Sequence, residues 1–525
     1  MTGVDRRTFL KLVAAAGAGA GIGIPLVSGI GGSSSTGTVL RSQLPLPQPF
    51  TGPLTVPPVL APVRTDRTAD YYELVQRAAT VEILPGVPTP IWGYNGVFPG
   101  PTIVSRSGRT TVVRHRNTLP VPVVAHLHGG HTPGPSDGYP TDLILPVGSS
   151  AQRQSMPGMP GMAMMDDPRA VVTVGERDYT YPLRQPAATL WYHDHRMGFT
   201  GASVWRGLAG FHLVHDDEED ALPLPRGDRD LPLMLADRAF SSDGGLRYPS
   251  VDPSLRDTAG VTGAYSAGVL GDVILVNGRP WPLAEVAAVR YRLRLLNASN
   301  VRRYRLALDP PPPGGGGLVQ IGSDGGLLSS PRSHDAIELA PAERFDVVVD
   351  FGRYAPGQEV TLVNQFGAGC TGVVLRFRVT RREADDTRVP AKLADVTPLD
   401  PERAVTTRTL LFQDRGGVAG WQINGQPFAP GSTSANPRLG TVEVWRLVSD
   451  FHHPIHLHLV HFQVLSRGLS GPGEYDGGWK DTVDLRPAEE VAVIARFDDY
   501  AGRFVFHCHN LEHEDMGMMA NFETV

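Results

Sequence analysis

The chain is short of cysteine, of aromatic residues and of long apolar runs. Two cysteines in 525 residues, Cys370 and Cys508, exclude a disulfide framework. Aromatics are 7% of the chain, whereas glycine (60) and proline (47) are abundant, a balance that favours short strands and many turns over long helices. The net charge is −6, the pI is near 6.3, and no basic block suits a nucleic acid. After the amino-terminal stretch no run is long and apolar enough for a spanning helix, so no stable membrane insertion is expected once that stretch is removed. At ~150 residues per unit, the length allows about three units.

The amino terminus stands apart. VDRRTFLK (4–11) leads into a Gly/Ala-rich apolar stretch and then GGSSSTG. Adjacent arginines, a modest apolar region and a polar exit resemble a twin-arginine export signal. Residues 1–35 are therefore set aside as a leader, and an extracellular, cell-envelope or periplasmic location is expected.

The most informative stretch is FVFHCHNLEHEDMGMM (504–519). A soft thiolate lies between two imidazoles, with His513 and Met518 close behind, a set that favours copper over magnesium or calcium. In a strand, Cys508 points one way and His507 and His509 the other, so one segment can serve two metal sites. Cys508, His513 and Met518 suit a blue-copper centre. The outward histidines need partners elsewhere.

Three pairs at i, i+2 supply candidates, each on one strand face: His126/His128, His193/His195 and His456/His458. His453 precedes the third pair, and Pro454 at the start of that strand lets it aim elsewhere. Asp194 is expected to make a hydrogen bond or turn contact. His131, His212, His215, His334, His452 and His461 lack comparable pairing and are left outside the set. Asp137, in PSDGYP, is read either as a turn residue or as a carboxylate that manages protons near a metal-bound oxygen species.

Other features are less chemical. SMPGMPGMAMMDD (155–167) carries Met156, Met159, Met162, Met164 and Met165, and is either a copper-handling surface or a Met-rich lid. Residues 215–230 and about 380–405 read as joints. The unit between them reads as scaffold, with a possible wall for substrate. Cys370 is expected to be a buried structural thiol.

HLHGGH, WYHDHRM, HPIHLH and HCHNLEHEDMGM, in that order, resemble the four motifs of multicopper oxidases. With AERFDV (342–347), the chain is most similar to bacterial laccases of the spore-coat and bilirubin-oxidase-like group, over roughly residues 45–525. The resemblance implies an all-β chain of three consecutive cupredoxin-like Greek-key domains, at 45–217, 230–378 and 400–525. It also implies four copper ions. Type 1 copper would take His453, Cys508, His513 and axial Met518. Type 2 copper would take His126 and His456. One type 3 copper would take His128, His193 and His509, and its partner His195, His458 and His507. Glu514 and Asp137 resemble the group's proton-handling acids. The implied reaction couples one-electron oxidation of phenols, aromatic amines or similar small donors to reduction of dioxygen to two waters. The alternatives are a cuprous-ion oxidase for copper tolerance, with Cu(I) as donor, and a bilirubin or o-aminophenol oxidase.

Overall fold

The computed structural model describes residues 36–149, 167–416 and 420–525. The twin-arginine stretch and the Met-rich segment lie outside the described residues.

The fold is all-β, with three consecutive cupredoxin-like units, each built from two facing sheets. One topological signature recurs. The first long strand of each unit pairs in parallel with a later strand: Ala69–Glu82 with Thr110–Asn117, Asp230–Arg238 with Arg290–Asn297, and Ala404–Asp414 with Thr441–Ser449. A parallel pair cannot be closed by a tight hairpin, so the chain crosses to the facing sheet before returning, as in a Greek key.

Seven elements matter for the site. They are β1 (Ala125–His128), β2 (Ala188–Asp194), β3 (Arg344–Asp350), β4 (His453–Leu457), β5 (Thr482–Leu485), β6 (Gly502–Cys508) and the short helix α1 (Leu511–Asp515). β1 lies antiparallel to β2 with His126 opposite His193. β4 lies antiparallel to β6 with His456 opposite His507 and Ile455 opposite Cys508. Strand β2 is buried along its whole length. Its Leu190 and Tyr192 share one apolar core with Ile455 and Leu457 of β4 and Phe504 and Phe506 of β6. The first and last units therefore bury a common face, and burial of apolar area holds them together. The middle unit has its own core around Leu293, Leu295, Val347 and Phe377.

One expectation is corrected: Cys370 is exposed, in a surface 3-10 turn, and its carbonyl accepts from Trp281 Nε1 at 2.7 Å. His453 aims away from the pair as expected, with Pro454 next to it at the start of the strand. His453 belongs to β4, three positions from His456, and that odd spacing puts it on the opposite face. Among the described residues no helix is long and apolar enough to cross a membrane.

Candidate metal centres

Strand alternation sorts the consecutive residues His507, Cys508 and His509 among three clusters of donor atoms. Cys508 turns to His453 and His513: Sγ lies 3.5 Å from His453 Nδ1 and 3.7 Å from His513 Nδ1, and the two nitrogens are 3.2 Å apart. All three residues are buried. His453 Nε2 donates to Asp450 Oδ1 at 2.9 Å, and His513 Nε2 faces the Ala267 carbonyl at 3.2 Å. Asp450 can only accept, so His453 Nε2 carries the proton and its Nδ1 is a bare lone pair, whereas His513 Nε2 also lies 2.9 Å from the Asn510 amide nitrogen. The two Nδ1 atoms and the sulfur converge on one point.

The helix α1 sets the position of His513. Asn510 caps it, its side chain accepting from the backbone N–H of Glu512 and His513. Trp421 stacks on the His513 ring at 3.5 Å. Met518 is buried beside them; its N–H donates to the His513 carbonyl at 2.9 Å and its carbonyl accepts from Cys508 N–H at 3.1 Å. Burial pushes the Cys508 thiol well up, so only a cation against the sulfur would favour the thiolate at neutral pH.

The eight remaining imidazoles meet between the first and last units. His126 and His456 bring their Nε2 atoms to 3.4 Å. Their Nδ1 atoms donate to the carbonyls of Asp137 (2.5 Å) and Asp481 (2.9 Å), so these Nε2 atoms are also bare. His507 Nε2 lies 3.3 Å from both His195 Nε2 and His458 Nε2. His458 Nδ1 donates to Asp137 Oδ2 at 2.8 Å, and His507 Nδ1 lies 3.1 Å from both the Cys508 carbonyl and Glu514 Oε2. In the third group, His128 Nδ1, His193 Nε2 and both ring nitrogens of His509 are buried without a hydrogen-bond partner.

Buried lone pairs that face one another, and buried nitrogens with nothing to bond, are costly unless a cation occupies the space between them. In His126, His456 and His458 the ring proton is held outward by a fixed acceptor, which leaves a neutral imidazole pointing inward, the form a metal requires. Burial reinforces this neutrality. It lowers His193 to about 3 and His195 to about 4, and drives His126, His128, His458 and His509 well below the ordinary range, with neighbouring imidazoles adding to it. A thiol with two imidazoles fits blue copper, and all-imidazole groups fit copper equally well.

Two carboxylates flank the histidine cluster. Asp137 caps a 3-10 turn and is also wedged between His126 and His458, with Oδ1 unpaired. The turn reading of Asp137 holds, and its carboxylate also lies against the histidine cluster. Burial pushes its carboxyl well up. Glu514 Oε1 accepts from Thr200 Oγ1 at 2.7 Å and lies 3.5 Å from His195 Nδ1. Burial works against its ionisation, but the imidazoles of His507 and His195 outweigh that and hold the carboxyl low.

Four of the six histidines left outside the set have other partners. His212 bonds Ser105, His215 bonds Glu219, His334 faces Glu474 and Gln320, and His131 bonds the Leu459 carbonyl. Asp194 makes the expected hydrogen bond, Oδ1 accepting from Val124 N–H at 2.8 Å. What sequence reading missed is the acidic support: Asp450 beneath His453, and Asp481 beneath His128. The charged pair Lys480-Asp481 immediately before strand β5 was the available signal.

Comparison with known proteins agrees with this arrangement. Residues 76–155, 148–219 and 395–525 match family models described as multicopper oxidase. A laccase of Bacillus stratosphericus is 37% identical, over 91% of this chain and 99% of the relative. A bilirubin oxidase of Albifimbria verrucaria is 35% identical, over 90% of this chain and 81% of the relative. The crystal structure of a laccase from Pediococcus acidilactici superposes with a TM-score of 0.78 at 32% identity, covering 93% of this chain and 96% of that one. With the converging donor atoms on one side and relatives spanning nearly the whole length on the other, the chain belongs to the multicopper oxidase family and is a laccase-like, copper-dependent oxidase.

Proposed function

We propose that this oxidase holds four copper ions. His453, Cys508 and His513, with Met518 as a further weak donor, would bind the blue one. His126 and His456 would bind the second. His128, His193 and His509 would bind the third, and His195, His458 and His507 the fourth. The observation that carries this reading is the set of buried imidazole nitrogens facing one another at 3.2–3.4 Å. When bound, copper supplies one-electron oxidation of a donor beside Cys508 and four-electron reduction of dioxygen to two waters within the histidine cluster.

The chain's own residues do the rest. Cys508 is bonded through the backbone to both His507 and His509, so its sulfur side has a covalent path to two groups of the cluster. Asp450 holds His453 in the tautomer that aims a bare Nδ1 at the sulfur, and Asn510 and the Ala267 carbonyl hold the His513 ring with its Nδ1 turned the same way. The cluster imidazoles are buried, so bulk water is kept from the reacting oxygen. Glu514 at Oε2 and Asp137 at Oδ1 are the atoms placed to hold protons on either side of the cluster.

The donor is a small aromatic reductant, a phenol or an aromatic amine. The Met-rich sequence 155–165 favours Cu(I) as a second donor, because thioethers prefer the cuprous ion. Residues 1–35 act as a twin-arginine leader, which places the mature chain outside the cytoplasm, with domains at 45–217, 230–378 and 400–525. Oxygen consumption by copper-loaded protein, with a phenol and separately with Cu(I), tests the donor. Phenol-dependent uptake well above the spontaneous rate is expected; uptake with Cu(I) alone would replace the first donor class by the second.

A further inference from the structure

The middle unit touches the residues that support the histidine cluster. Arg344, the first residue of β3, is fully buried. Its guanidinium grips Asp481 through two bonds, Nη1 to Oδ1 at 2.7 Å and Nη2 to Oδ2 at 2.5 Å. The other bonds reach the first unit and the middle one: Nε donates to the Thr189 carbonyl of β2 at 2.9 Å, Nη1 to the Ala342 carbonyl at 3.0 Å and Nη2 to the Asp324 carbonyl at 3.0 Å. Asp324 in turn accepts from the Arg344 backbone N–H at 2.7 Å and lies 3.1 Å from Lys480 Nζ. A planar fork with this many fixed acceptors has one orientation.

Asp481 uses what Arg344 leaves free. Its Oδ1 accepts from His128 Nε2 at 3.0 Å, and its carbonyl accepts from His456 Nδ1 at 2.9 Å. Among the eight described cluster histidines, His128 is the one whose Nε2 faces a carboxylate. That bond puts the proton on Nε2 and leaves Nδ1 bare and unpartnered, whereas His193 beside it donates from Nδ1 to the Asp194 carbonyl and leaves Nε2 bare. The approach of the pair explains the glycine after His128. A Cβ at Gly129, whose φ is +85°, would meet Arg344 Nη2 at 2.5 Å and Asp481 Oδ2 at 2.8 Å.

We propose that Arg344 and Asp481 are positioning residues for the histidine cluster: Arg344 fixes the Asp481 carboxylate, and Asp481 fixes the His128 ring with Nδ1 turned to the metal. The middle unit thereby sets the geometry of a centre to which it gives no ligand. The inference rests on the reading of the cluster as a copper site.

The test compares copper-loaded parent, Arg344→Lys, Asp481→Asn and Arg292→Lys. The last removes an equally buried fork that pairs with Glu219 at 2.6 Å and with Asp346, away from the histidines. Copper retained against a graded chelator is measured, with paramagnetic resonance and the blue band separating the Cys508 site from the cluster. Arg344→Lys and Asp481→Asn are expected to keep the blue band and the unfolding midpoint yet hold cluster copper about 10–100-fold more weakly, with Arg292→Lys like the parent. Parental affinity in both variants would overturn the inference. So would loss of the blue band and the fold in both, which would make the pair a general strut. If only Arg344→Lys fails to fold, Asp481→Asn decides. A parent that binds no cluster copper would instead sink the underlying reading.

Discussion

Cys508→Ser protein is expected to fold, to keep copper at the histidine cluster and to lose both the blue band and nearly all phenol-driven oxygen consumption. The sulfur is the one soft donor among the three atoms that meet beside His453 and His513. A serine hydroxyl is neutral, harder and a poor ligand for this metal. Cys508 is also the residue that joins the donor side to His507 and His509, so removing it cuts the shortest bonded path to the cluster. The side chain changes by one atom inside a close-packed core, so the fold should tolerate it. Absorption and paramagnetic resonance spectra with an oxygen electrode check this. Retained blue absorbance together with ordinary oxygen-coupled turnover would contradict the assignment.

Glu514→Gln is expected to separate the two halves of the reaction. Its carboxylate touches His507 and His195 and is held by Thr200, all on the oxygen side. A glutamine keeps the shape and the acceptor for Thr200 but cannot carry a proton. Loss of one positioned acid–base group costs about 10²–10⁴-fold, so reoxidation by dioxygen should slow by that order. Reduction of the blue site by a phenol under nitrogen should stay near the parental rate, because the described hydrogen bonds and ion pairs of Glu514 do not include His453, Cys508 or His513. Stopped-flow measurement of each half separately reads the split. Equal slowing of both would remove Glu514 from the proton path.

Much of the site was legible because strand periodicity is strict. Pairs two apart share a face, and a cysteine between two histidines faces away from them, which separates Cys508 from His507 and His509; which histidines group with each came from the resemblance to multicopper oxidases and not from parity. Short strands and many turns were legible from composition and alternating runs, and the three cupredoxin-like units from the resemblance. The supports beneath the imidazoles were not. Asp481, Asp450 and the Ala267 carbonyl meet their histidines only after strands pair and loops close, and no local pattern reports such contacts. The middle unit was read as scaffold because it offers no paired ligands, yet Arg344 reaches the cluster through a bond to a residue of another unit. Cys370 was placed inside on the average behaviour of free cysteines, and its Gly-flanked surface turn overrode that average.

The central claim is a blue site coupled to a separate histidine cluster, and copper content per chain tests it most directly. Protein reconstituted with Cu(II), freed of loose metal and analysed by mass spectrometry under native conditions should carry four copper ions, matching the four donor sets assigned above, with the Cys508→Ser form carrying three. A single tightly held copper that accounts for the whole blue band would contradict the claim and reduce the chain to an electron carrier.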